Sequence, residues 1–317
     1  MKVLFIDTVH PILEEQLTAA NYECVDGTAM NRKEILQELS LYEGIVIRSR
    51  TRVDKEFLDA ASSLQFIARS GAGLENIDLP YAKQKGITVF NSPEGNKDAV
   101  GEQAVGMLLM LFNHLQRADI EVRNGIWKRE ENRGLELAGK TVGIIGCGHM
   151  GTAFAQKLQG FSCRVIGYDK YKTNYGNSII EETTLEQVQQ EADIVSLHLP
   201  LQEDTKFLFN KTYINGFKKP FFLINTGRGL NVKTDDLVEA LQSGKIRGAC
   251  LDVLEYEKSS FENLDTEQLP ESFQYLIQSD KVILSPHIAG WTDESYIKLS
   301  TFLAEKIIDK FGEINLG

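Results

Sequence analysis

Thr141-Val142-Gly143-Ile144-Ile145 reads as a short buried strand, and it runs directly into Gly146-Cys147-Gly148-His149-Met150-Gly151. A helical pattern follows over 152–159. A G-x-G-x-x-G set between a strand and a helix restricts the chain to few folds. Gly146 permits the tight turn, Gly148 lets a pyrophosphate approach the main chain, and Gly151 lets helix pack on strand. The helix N-terminus then faces the phosphates. The next strand ends at Asp169, close to the spacing past the glycines at which an acid meets the ribose of a dinucleotide. Asp169 should accept from both ribose hydroxyls and repel a 2′-phosphate, which favours NAD over NADP. Lys170 and Lys172 work against that preference. Cys147 and His149 read as spacers in the loop, and His198 as part of the cofactor-pocket wall.

The same alternation of short Val/Ile-rich strands and helical patterns fills the chain. Strands are expected at 2–7, 44–48, 65–68 and 87–90, then at 141–145, 164–168, 194–197, 221–225, 248–252 and 282–285. This is the pattern of βαβ units and of parallel sheets buried on both faces. The segment 98–122 reads as one long helix. It is apolar almost all round between Ala104 and Phe112, as a spine between domains or a subunit interface would be. The polar stretch 259–278 reads as a solvated surface insertion with a short helix.

Composition narrows the function. A net charge of −11 argues against nucleic acid as a partner. No apolar run reaches the roughly 18 residues of a membrane span. Asp7 stands where a signal peptide would continue its apolar core. Four scattered cysteines without a C-x-x-C and five scattered histidines suggest neither a disulfide framework nor a metal site, and fit a reducing cytoplasm.

Three later segments follow strand ends, where ligands bind in open parallel sheets. They are Asn225-Thr226-Gly227-Arg228-Gly229, Leu251-Asp252-Val253-Leu254-Glu255-Tyr256-Glu257 and Ser285-Pro286-His287-Ile288-Ala289-Gly290. Arg228, Glu257 and His287 can converge there. A 2-keto acid offers a carboxylate and a carbonyl that an Arg fork can hold and polarise. Hydride delivery creates an alkoxide that needs a proton, and His can supply it near neutral pH. A neighbouring carboxylate favours the charged imidazole.

These segments, with Arg69-Ser70-Gly71-Ala72-Gly73-Leu74-Glu75-Asn76-Ile77-Asp78 and Asn91-Ser92-Pro93-Glu94-Gly95-Asn96, make the chain resemble the D-isomer-specific 2-hydroxyacid dehydrogenase family over nearly its full length. The resemblance implies an α/β protein of two Rossmann-like, doubly wound parallel-sheet domains with an active-site cleft between them. It implies a substrate domain at 1–96 plus 291–317, an NAD-binding domain at 97–290, and a homodimer. It places the catalytic set on Arg228, Glu257 and His287. Cofactor contacts fall on Gly146, Gly148, His149, Met150, Gly151, Asp169, Pro200, Thr226, Arg228, Asp252, His287 and Gly290. The substrate carboxylate falls on the loop of Gly71, Ala72 and Gly73. Within the family, Ile47-Arg48-Ser49-Arg50-Thr51 and Trp127-Lys128-Arg129 most resemble phosphoglycerate dehydrogenases of the short type, without a serine-sensing regulatory domain. Arg48 and Arg129 are then the expected phosphate contacts, with Arg48 rather than Arg50 turned inward by strand alternation. Lys258 departs from the Pro usual after the catalytic Glu. A glyoxylate/hydroxypyruvate or D-lactate-type reductase stays open, as does a dinucleotide-sensing co-repressor.

Overall fold

The computed structural model describes residues 1–257 and 270–312. The chain divides into two compact units, Met1–Asn96 with Trp291–Gly317, and Lys97–Gly290. Each is built on its own all-parallel sheet.

The first sheet comprises β1 (Lys2–Phe5), β2 (Glu23–Asp26), β3 (Gly44–Ile47), β4 (Phe66–Arg69) and β5 (Thr88–Asn91), in the order β2-β1-β3-β4-β5. This is the flavodoxin-like order, which reverses direction between β1 and β3. All four residues of β3 are buried, as a central strand covered on both faces requires. A Cβ at Gly44 would lie 2.2 Å from the Phe66 ring, so glycine there admits the ring into the core. One face is covered by the helix Asp293–Phe311. Thr292 and Ser295 form a capping box at its start, Asp293 and Glu294 favour the N-terminal dipole, and Gly312, with φ 76°, follows its last residue. Leu303, Ala304 and Ile307 of this helix pack with Val3, Phe5, Leu17, Val46 and Phe66. Truncating the fully buried Leu303 to Ala should cost about 2–5 kcal/mol.

The second sheet comprises β6 (Thr141–Ile145), β7 (Arg164–Tyr168), β8 (Glu181–Glu182), β9 (Ile194–Leu197), β10 (Phe221–Asn225), β11 (Ile246–Leu251) and β12 (Val282–Leu284). Its order is β12-β11-β10-β9-β6-β7-β8, the dinucleotide-binding winding with an added edge strand, and it reverses between β6 and β9.

One expectation is corrected. The segment 98–122 is two helices, Pro93–Phe112 and Leu115–Arg123. They part at His114, which is left-handed (φ 51°), while the Asn113 amide donates back to the Leu109 carbonyl. Within the single chain, Gly106 and Met110 of the apolar stretch, one turn apart, are exposed, so the chain's own elements do not cover it all round. The short helix expected in the insertion is Glu271–Gln278; it is amphipathic and buries Phe273 and Leu276. Residues 259–269, and Lys258, lie outside the described residues. Among the described residues, no helix is long and apolar enough to cross a membrane.

Candidate active site

The glycine loop has the geometry its sequence dictates. Gly146 has φ +97°, and a Cβ there would lie 2.5 Å from the His198 carbonyl oxygen. At Gly151 a Cβ would lie 2.2 Å from the Gly146 oxygen, so only glycine lets the helix His149–Lys157 approach β6 this closely. A Cβ at Gly148 would meet no heavy atom within 4 Å. This helix has no side-chain cap, which leaves its first N–H groups directed at the space over Gly148.

Asp169, one residue past β7, knits the loop together. Its Oδ2 accepts from the Cys147 N–H (2.9 Å), and its Oδ1 from those of Tyr171 (2.9 Å) and Lys172 (3.0 Å). A carboxylate oxygen carries further lone pairs, so ribose hydroxyls can still donate to it. Burial pushes the Cys147 thiol up to about 12, with the Asp169 charge adding to the effect, so it is no nucleophile. At the ends of β9 and β10, His198 Nδ1 and Thr226 Oγ1 are buried without a hydrogen-bond partner. Orphaned polar atoms beside an open glycine cradle fit a polar ligand such as a dinucleotide.

The catalytic candidates sit on three loops after β10, β11 and β12. His287 Nδ1 is 2.6 Å from Glu257 Oε2, with the two side chains 21% and 13% exposed. Glu257 Oε1 accepts from the Leu254 N–H (2.5 Å), which fixes the carboxylate against its own turn. His287 is left-handed (φ 54°), a conformation that costs an ordinary residue roughly 1–2 kcal/mol and needs outside support. Asp252 supplies it. Its backbone oxygen accepts from the His287 N–H (2.8 Å). Its carboxylate, 1% exposed, accepts from Ser285 Oγ (2.6 Å), Ile288 N (2.9 Å) and Ala289 N (2.8 Å). Arg228 is anchored by its N–H to Asn231 Oδ1 (3.1 Å), and its Nη1 donates to the Gly227 oxygen (2.8 Å). A Cβ at Gly229 would lie 1.9 Å from the Leu254 oxygen, so the Arg228 loop presses on the turn that holds Glu257.

In the first unit, Gly71 has φ +147°, and a Cβ there would lie 1.7 Å from Arg69 Nη1. The loop is held by Asn91 Nδ2 donating to the Ala72 oxygen (2.6 Å) and by Ser92 N–H donating to the Gly71 oxygen (3.0 Å). Because β3 ends at Ile47, strand alternation does not extend to Arg48 and Arg50. The buried Asp7 takes both: Oδ2 accepts from the Arg48 N–H (2.5 Å), and Oδ1 from Arg50 Nε (2.9 Å). Arg48 instead lays its guanidinium over the Trp291 ring, 4.5 Å from the centroid. Arg129 belongs to the other unit, on an exposed segment.

Residues 105–289 match the D-isomer specific 2-hydroxyacid dehydrogenase family, NAD binding domain. The chain belongs to this family. A D-3-phosphoglycerate dehydrogenase of Archaeoglobus fulgidus is 32% identical over 98% of the chain and 57% of its own length. The chain therefore spans little more than half of that relative. A hydroxypyruvate reductase of Thermotoga maritima is 34% identical over 91% of each chain. The solved D-lactate dehydrogenase of Aquifex aeolicus, complexed with NAD and lactic acid, is 27% identical, covers 99% of this chain and 96% of its own, and superposes with a TM-score of 0.81. Within this family the unit Lys97–Gly290 carries the NAD-binding domain.

Sequence reasoning missed Arg69, whose guanidinium lies against Gly71; its place at the end of β4, beside a glycine pair, was the available signal. It also missed Trp291 as the partner of Arg48. A Trp following the His287 loop gives no hint of a contact with a side chain just past β3, near the other end of the chain.

Proposed function

We propose that this chain is an NAD-dependent oxidoreductase that moves a hydride between the nicotinamide and a D-2-hydroxy/2-keto acid. The observation that carries the reading is the 2.6 Å His287–Glu257 pair, held beside the Arg228 loop on a unit whose glycine loop suits a dinucleotide. NAD would supply or accept the hydride. Gly146, Gly148, His149, Met150, Gly151, Asp169, Pro200, Thr226, Asp252 and Gly290 are the chain's own residues for seating it. In reduction, Arg228 holds the substrate carboxylate and polarises the carbonyl. His287 gives its proton to the developing alkoxide, and Glu257 orients the ring through Nδ1. In oxidation the same imidazole takes the proton back.

For the substrate we infer 3-phosphohydroxypyruvate and its reduced partner 3-phosphoglycerate, as in serine biosynthesis. The backbone N–H groups of Gly71, Ala72 and Gly73 take the carboxylate, and Arg48 and Arg129 take the phosphate. Support comes from the stacked Arg48, whose N–H edge can still pair with an anion, and from the similarity to phosphoglycerate dehydrogenases. A hydroxypyruvate reductase is the second reading. It is favoured by the match along 91% of both chains to the Thermotoga enzyme.

A second copy of this chain is the proposed partner. Met110, Leu115, Ile120, Val122, Ile126 and Trp127 are exposed apolar side chains on or just after the two consecutive helices, a surface suited to self-association. The four free thiols suit a reducing cytoplasm.

The test is NADH oxidation across a panel of 2-keto acids, run with the Arg48→Ala variant. Arg48→Ala should damage the phosphorylated acid far more than hydroxypyruvate. Equal damage, or a preference of the unmutated protein for the unphosphorylated acid, moves the assignment to the reductase. NAD binding without turnover of any acid moves it to a dinucleotide sensor.

A further inference from the structure

The turn after β7 and the loop after β9 are tied by a charged knot at the ribose end of the proposed cofactor site. Lys170 Nζ is 2.5 Å from Asp204 Oδ2, and Tyr171 Oη donates to that same oxygen at 2.6 Å. The Lys170 ammonium also sits over the Tyr171 ring, 5.3 Å from its centroid. Lys170 directly follows Asp169. Because Asp169 Oδ1 gathers the N–H groups of Tyr171 and Lys172, the turn is wound around its carboxylate, and the Lys170 and Tyr171 side chains run across to Asp204.

This arrangement bears on a conflict in the sequence. Asp169 disfavours a 2′-phosphate, yet Lys170 and Lys172 flank it, and a cation on that turn is what a 2′-phosphate needs. A phosphate monoester brings nearly two negative charges. Lys172 points back to the glycine loop, its Nζ 3.4 Å from the Cys147 oxygen. Lys170 is the cation that could swing to a phosphate, and Asp204 occupies it.

We propose that Asp204 is a second specificity-determining residue for NAD over NADP, acting from the loop after β9 by holding Lys170. The proposal rests on the dinucleotide reading of this unit. It differs from the role of Asp169, which would meet the ribose directly, because Asp204 acts through Lys170. The pair is open to solvent, with side chains 57% and 34% exposed, so its leverage is modest and depends on salt.

The experiment measures equilibrium binding to the intact chain. NADH and NADPH are titrated by nicotinamide fluorescence, and AMP and adenosine 2′,5′-bisphosphate by calorimetry. The proteins are the unmutated chain, Asp204→Asn, Asp204→Ala, Lys170→Ala and Asp204→Ala with Lys170→Ala. Both Asp204 variants should improve the 2′-phosphorylated ligand relative to its partner by about two- to fivefold. The gain should shrink at high salt and vanish when Lys170→Ala is added. An unchanged ratio in both Asp204 variants overturns the proposal, as does a gain that survives loss of Lys170. Failure of the unmutated chain to bind NADH would overturn the dinucleotide reading as well.

Discussion

Substituting Gly229 by Ala tests how the catalytic loops are coupled. A Cβ at this position would lie 1.9 Å from the Leu254 oxygen, 2.1 Å from its carbonyl carbon and 2.8 Å from the Glu255 nitrogen. Ordinary contact starts near 3.4 Å, so the shortfall at the Leu254 oxygen is far more than a small adjustment can absorb. All three obstacles are backbone atoms, and no rotamer change relieves them. Either the Arg228 loop retreats, or the Leu254–Glu257 turn does. The first moves the guanidinium. The second moves the N–H that holds Glu257 Oε1, and through Glu257 the His287 ring. A displacement of about 1 Å at a reacting group costs on the order of a hundredfold in rate. Overpacking of this kind costs roughly 1–3 kcal/mol in stability. Gly229→Ala should therefore lower kcat for the preferred 2-keto acid about a hundredfold, with a reduced Tm and a much smaller change in NADH affinity. Gly160→Ala is the control: a Cβ there meets nothing within 4 Å, and the change should leave rate intact and stability equal or slightly higher. Stopped-flow or steady-state NADH oxidation with thermal unfolding reads both. Unmutated kcat and Tm in Gly229→Ala would refute the coupling.

His287→Asn, chosen because Asn tolerates the left-handed backbone at φ 54°, should cut turnover by about a hundred- to ten-thousandfold with NADH affinity kept; retention of half the rate would remove His287 as proton donor. Asp252→Asn replaces one of the two acceptor oxygens with a donor, which then faces the Ile288 or the Ala289 N–H group. It should cost about 1–3 kcal/mol and loosen the His287 loop, seen as a lower Tm together with a lower kcat; an unchanged Tm would argue against that support. Burial pushes the His198 imidazole down from 6.5 to about 4, so the folded chain holds it neutral. The unfolded chain takes up the proton first as pH falls, so this contribution is complete above pH 6.5 and is lost progressively toward pH 4, by up to about 3 kcal/mol. His198→Gln should flatten the denaturant-measured stability profile across that window, and an unaltered slope would refute the assignment.

How much of this is legible in the sequence follows from burial. Central strands such as Phe221–Asn225 are buried along their whole length and therefore announce themselves as apolar runs. The strands that sequence reasoning misses, Glu23-Cys24-Val25-Asp26 and Glu181-Glu182, lie at sheet edges, where one side faces solvent and no apolar run is required. The glycine loop is readable because Gly146 and Gly151 are dictated by close backbone approach, a constraint that leaves few substitutes. That the Asp252 carboxylate gathers the donors of the His287 loop is not legible, because one-dimensional order does not say which donors a strand-end acid will meet. The helix break at His114 carries no Gly or Pro. The orientation of Arg48 cannot follow from strand alternation, because the strand has already ended there.

The unit Lys97–Gly290 interrupts the other unit, which resumes only at Trp291. This has a consequence for the order in which the nascent protein can mature. The apolar face of Val3, Phe5, Val46 and Phe66 is translated early, but Leu303, Ala304 and Ile307, which seal it, are added only after the whole of the interrupting unit. At about 5–20 residues per second this is a delay of roughly 10–40 s. The interrupting unit, whose strands are contiguous in sequence, is complete by the end of that interval, while this side of the earlier sheet is covered only by residues of the N-terminal part such as Leu13 and Leu17. Translation speed before residue 291, and the holdases that attend it, should therefore affect the yield of folded protein.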